Sequence, residues 1–137
     1  MIIADTSVWI DLQRANQRAG GAHLERLLAR GDDVSVTEPV IMELLAGCRN
    51  DREVSSTRRR LLALRLVRAG GLETYERAAA VERACARSGE PIRNGIDCLI
   101  AAVAIREGAT LLHADRDFDI IARHTDLEIE PVPPPRA

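Results

Sequence analysis

The first twelve residues, Met1 to Leu12, read MIIADTSVWIDL, and they carry the pattern that decides the fold. Residues 1–4 form an apolar run too short for a helix, so they predict a buried strand. It ends at Asp5, and Thr6 or Ser7 can then cap a helix reaching about Leu12. The same arrangement recurs downstream. Residues 34–37 (VSVT) predict a strand, after which Thr37 caps a helix with Pro39 in its first turn, ending at Gly47. Residues 110–113 (TLLH) predict another strand, and residues 116–124 the helix after it. Helices are also expected over 22–29, 55–64 and 73–87 and around Asp97, with short strands near 66–67 and 127–129 and a loop over 13–21. Strands alternating with helices predict an α/β fold with a mostly parallel sheet, covered on both faces.

The totals agree with one such unit. A chain of 137 residues and 15.0 kDa, 46% hydrophobic, supports a single core. The domain is expected over residues 1–130, with residues 131–137 (PVPPPRA) as an extended tail. The longest unbroken apolar run, residues 98–105, is too short to span a bilayer, and residues 1–9 lack the basic start of a signal peptide. The expected setting is therefore cytoplasmic, with no membrane partner. Cys48, Cys85 and Cys98 match no zinc spacing and read as reduced thiols in or near the core. Formal charge is −2, yet all 19 basic residues are arginine and none is lysine. Residues 49–68 hold seven of these arginines against Asp51 and Glu53.

One segment, GIDCLIAAVAI at residues 95–105, sets a problem. At helical spacing Asp97 aligns with Ile100, Ala101 and Ala104, on the face a packed helix buries. A lone buried carboxylate is costly and needs a partner. Three further acids occupy related places. Asp5 follows the first strand, Asp115 follows the strand at 110–113, and Glu43 lies one turn into the helix after the second strand. In open parallel sheets ligands bind beyond the carboxyl ends of the strands, where these positions converge. Taken singly, each has a structural explanation: a helix cap, a helix dipole, a turn or a solvated face. Together they do not, since two carboxylates about 4 Å apart repel by roughly 4 kcal/mol at an effective dielectric of 20. An all-carboxylate set selects a hard cation, Mg²⁺ or Mn²⁺. Such an ion lowers the pKa of bound water and stabilises a phosphoryl group under in-line attack.

At these residues the sequence resembles a PIN domain and, in size and motifs, the VapC toxins of bacterial type II toxin–antitoxin pairs. The matching pieces are IIADTSVWID, EPVIMELLAG, IDCLIAAVA and LLHADRDFD, spread from residue 2 to residue 119. The resemblance implies a three-layer α/β/α fold and a Mg²⁺- or Mn²⁺-dependent endoribonuclease cutting structured cellular RNA. It carries the family's acidic quartet onto Asp5, Glu43, Asp97 and Asp115, with Asp5 and Asp97 as metal ligands. Asp115 and Glu43 would complete the pocket and orient the attacking water. Ser7 matches the family's small hydrogen-bonding residue, and Asp117 is a possible fifth acid, leaving open whether Asp115 or Asp117 contacts the ion. The implied partners are an RNA substrate, a VapB-like antitoxin and a second copy of the chain.

With Trp9, Tyr75 and Phe118 as the only aromatics, a base-stacking platform is not expected, and each reads as core. Phosphate contacts fall to arginine, first to Arg58, Arg59 and Arg60, whose face could equally meet the antitoxin. Two other readings remain: a non-catalytic interaction module holding a structural metal, and a DNA-directed PIN-like nuclease. Absence of lysine argues against receiver- or dehalogenase-type phosphotransfer, and no GxxxxGK[ST] motif occurs.

Overall fold

A computed structural model describes residues 1–14 and 18–134. Among these residues the order is β1 (Ile2–Ala4), α1 (Thr6–Arg14), α2 (Ala19–Arg30), β2 (Val34–Thr37), α3 (Glu38–Ala46) and α4 (Asp51–Leu62). There follow β3 (Arg65–Val67), α5 (Leu72–Arg87), α6 (Gly95–Glu107), β4 (Thr110–Leu112), α7 (Arg116–His124) and β5 (Glu128–Ile129). The five strands form one sheet in the order β3-β2-β1-β4-β5, and every pairing is parallel. Ile3, Ala4, Val36, Leu111 and Leu112 are completely buried, as continuous apolar strands between two helical layers must be.

The chain winds from β1 outward through β2 to β3, then returns to the other side of β1 for β4 and β5. With right-handed crossovers, α1 to α4 cover one face and α5 to α7 the other. Packing follows that division, α1 meeting α2 and α3, α3 meeting α4, and α5, α6 and α7 meeting one another, with one crossing: α3 also meets α6. The reversal falls between β1 and β4, where Ala4 pairs with Leu112 and the Asp5 amide donates to the Leu112 carbonyl at 2.9 Å. Helix α6 is buried on all sides from Asp97 to Ala104, so its sequence is apolar all round rather than striped.

Several local expectations are corrected. Helix α2 starts at Ala19, three residues before the expected position, because Gly20 and Gly21 belong to a helix–helix contact and not a loop. A Cβ on Gly20 would lie 2.9 Å from Val8 Cγ1, and one on Gly21 2.8 Å from the Leu12 backbone nitrogen. Helix α4 starts at Asp51, not near Ser55, because Asn50 caps it: its Oδ1 accepts from the Glu53 amide at 2.9 Å. Thr37 stands at the start of α3, but its hydroxyl makes no capping bond. Trp9 and Phe118 are core, whereas Tyr75 is 54% exposed on α5. Cys48, Cys85 and Cys98 are all free thiols. Val132, in the expected tail, packs against the core, and residues 135–137 lie outside the described residues. No helix among the described residues is long and apolar enough to cross a membrane.

Candidate active site

The pairing of β1 with β4 sets Asp5 and the β4–α7 turn side by side. Asp5, not Thr6 or Ser7, caps α1: its Oδ2 accepts from the Ser7 amide at 3.0 Å and the Ser7 hydroxyl at 2.6 Å. That hydroxyl also accepts from the Ala114 amide at 2.9 Å. Ser7 therefore ties the end of β1 to the turn that carries Asp115.

Each acid is held by its neighbours. Asp115 caps α7, its Oδ1 accepting from the Asp117 amide at 2.9 Å. The Asp115 amide donates to His113 Nδ1 at 3.1 Å, and His113 Nε2 lies 3.0 Å from Asp119 Oδ1. Both ring nitrogens of His113 are thereby engaged inside the protein. Glu43 projects from α3, where the Thr6 hydroxyl donates to its Oε1 at 2.7 Å. Asp97, 5% exposed, sits in the first turn of α6, and α3 packs against α6. Asp5, Asp97 and Asp115 each stand at a helix N-terminus, whose positive dipole end offsets part of their charge.

That offset is incomplete. Burial, followed by the charges of Asp5, Asp115, Glu43 and Asp117, pushes the Asp97 carboxyl up to about 7. Burial also raises Asp5, despite its bonds from Ser7, and Glu43 adds to the rise. The four predicted acids and Asp117 thus share one electrostatic site, and no lysine exists to relieve it.

The donors suit a divalent cation. Asp97, Asp115 and Asp117 each offer a carboxylate oxygen within 4.8 Å of the others. Asp5 Oδ1 is buried with no hydrogen-bond partner, an oxygen prepared for something the protein does not supply. The nearby thiol of Cys98 is pushed up to about 12 by burial, so it is not a thiolate ligand. An all-oxygen set of this kind fits a hard ion.

Sequence reasoning missed the parts played by Thr6 and His113. Thr6 looked like a helix cap, and His113 offered no pattern beyond its place two residues before Asp115. Arg59 and Arg60 line a groove that begins at Glu43, while Arg58 is exposed on α4 outside that lining.

A model of the PIN domain matches residues 2–124. A VapC ribonuclease of Mycobacterium bovis and ribonuclease VapC11 of Mycobacterium tuberculosis are each 38% identical over 129 residues, 93% of this chain and 96% of the relative. Among solved structures, VapBC2 from Rickettsia felis, bound to a DNA fragment from its promoter, superposes with a TM-score of 0.73 at 22% identity. That match covers 95% of this chain and 98% of the other. With the all-parallel three-layer fold and the acids gathered at its switch point, the chain belongs to the PIN-domain family, among the VapC proteins.

Proposed function

We propose that the chain is a Mg²⁺- or Mn²⁺-dependent endoribonuclease and the toxin of a type II toxin–antitoxin pair. The observation that carries the reading is the gathering of four further carboxylates about Asp97, one of which, Asp5, keeps a buried oxygen with no hydrogen-bond partner. The names of the mycobacterial relatives, both ribonucleases, support RNA over DNA.

In this reading Asp5, Asp97 and Asp115 hold the ion, with Asp117 and Glu43 completing the set. An ion held there would lower the pKa of a water and stabilise charge on the phosphate. The protein's own groups do the positioning. Ser7 fixes Asp5 and, through Ala114, the turn of Asp115. Thr6 occupies one oxygen of Glu43 and leaves Oε2 to accept from the attacking water. Glu43 takes the water's proton as the new phosphorus–oxygen bond forms and the bond to the leaving oxygen breaks, and that oxygen is protonated from solvent. A VapB-like antitoxin would silence the site, the toxin would form a homodimer, and the pair would act in the cytoplasm.

The test is an assay of purified protein on an RNA stem–loop and a single-stranded DNA of matched sequence, with Mg²⁺, Mn²⁺ or EDTA. RNA fragments in either metal, none in EDTA and intact DNA are expected. Cleavage in EDTA, or no cleavage in either metal, overturns the reading; DNA cleavage alone transfers it to a DNA-directed nuclease.

A further inference from the structure

Opposite charge is also concentrated in one place. A groove of about 1110 Å³ is bounded by the C-terminal ends of α1 and α3 and by α4, and Glu43 stands on its wall. Arg14, Arg52, Arg59 and Arg60 line it, and among the described residues none of their guanidinium groups has a hydrogen-bond or ion-pair partner. Other arginines do. Arg49 on the same wall is closed off by Glu53 at 3.2 Å, Arg77 meets Glu73 at 3.1 Å, and Arg123 meets Glu90. Four uncompensated cations along one depression repel each other and favour an anionic occupant.

Shape and lining say which anion. Arg52 and Arg59 are seven residues apart on α4, a rise of about 10 Å, with Arg14 supplied by α1. The row is too long for one phosphate and suits a chain of them. Guanidinium forks match phosphate oxygens two at a time. A protein segment would dock through buried apolar anchors, yet among the described residues only Ile10 and Leu44 offer large apolar side chains here, and no aromatic does. A phosphate backbone needs no such anchors.

We infer that this groove carries the phosphate backbone of an RNA strand up to the acidic rim, with Glu43 at the junction of the two. The inference rests on the ribonuclease reading for the identity of the strand. Its physical logic is that five carboxylates repel a polyanion, and four arginines beside them hold it in register.

Binding of a fluorescein-labelled RNA stem–loop by the full chain, followed by anisotropy in EDTA across a salt series, tests the groove without cleavage. Failure here is therefore distinct from failure of the nuclease assay. The Arg52→Gln/Arg59→Gln variant should lower the slope of log K against log salt by about 1.4–1.8, since each phosphate contact contributes about 0.7 on a single strand and about 0.9 on a duplex. Arg83→Gln/Arg87→Gln, two exposed arginines of α5, should leave the slope within error of the unmodified chain. Equal slopes in the groove variant and the unmodified chain overturn the inference, as do equal losses in the two variants. Loss of binding to a labelled oligoglutamate peptide, with RNA binding intact, gives the groove to an acidic protein and also overturns it.

Discussion

Helix α6 carries concentrated charge at both ends and treats it in opposite ways. At its last turn Arg106 is fully engaged. Nη1 donates to the Ala69 carbonyl at 2.6 Å and Thr74 Oγ1 at 2.9 Å, Nη2 to the Arg68 carbonyl at 2.5 Å, and both Nη2 and Nε reach Glu107. At its first turn Asp97 faces four other carboxylates, with no arginine among the described residues paired to offset them. The satisfied end ties the β3–α5 loop to the core, which is stability. The unsatisfied end stores an electrostatic demand, which is how a binding site differs from a structural contact.

The sharpest way to break that contrast is to neutralise each end. Asp97→Asn should lower metal-dependent RNA cleavage by more than roughly 100-fold, the upper range for partners outside the ligand shell, measured as kcat/KM. An effect under tenfold would place Asp97 outside the chemistry. Arg106→Ala leaves two backbone carbonyls short of a charged donor and should cost about 2–3 kcal/mol in urea unfolding, with the folded fraction still binding Mn²⁺.

A smaller effect comes from pH. Asp97 holds its proton up to about 7 in the folded protein but only to its ordinary value near 3.8 when unfolded. The native state then binds more protons between these values, so metal-free stability falls as pH rises through that window and levels off above it. Glu53 and Glu90 are shifted downward, so their contributions vary below pH 5. Relative to the unmodified chain, Asp97→Asn should therefore gain about 1–2 kcal/mol at pH 8, after discounting for water at the rim, and little at pH 5. Thermal melts in EDTA at both pH values measure the difference, and Mg²⁺ should stabilise only the unmodified chain at pH 8. The smallest effect is expected from Thr6→Val, which frees Glu43 Oε1. Cleavage should fall about tenfold with unchanged stability, and Thr6→Ser should restore it.

The acidic end of this contrast could be read before the structure, whereas the Arg106 end could not. Residues 2–4, 34–37 and 110–112 announce themselves because strands buried on both faces must be continuous apolar runs. Acids at their ends, with Asp97 on an apolar helix, then gave the site its location. What stayed hidden depends on tertiary approach. Gly20 and Gly21 look like a loop until Val8 and Leu12 are seen against them. Asn50 and Glu53 do form a capping signature, overshadowed by the polar run around them. Asp117 was expected only as a possible fifth acid, and the turn that Asp115 caps brings it into the cluster; the Thr6–Glu43 bond spans 37 residues, beyond the reach of local pattern. The unpaired state of Arg14 and Arg52 is equally a property of three-dimensional neighbours.

The adjacency of β1 and β4 also acts as a ruler. Asp5 and the turn before Asp115 descend from paired residues, Ala4 and Leu112, whose strands lie about 4.8 Å apart. The hydrogen-bonded ladder holds that separation, so the backbone gauge of that side of the pocket is inherited from peptide chemistry. The acids on helices, Glu43, Asp97 and Asp117, are free of that ladder and can shift their reach while the sheet keeps the measure.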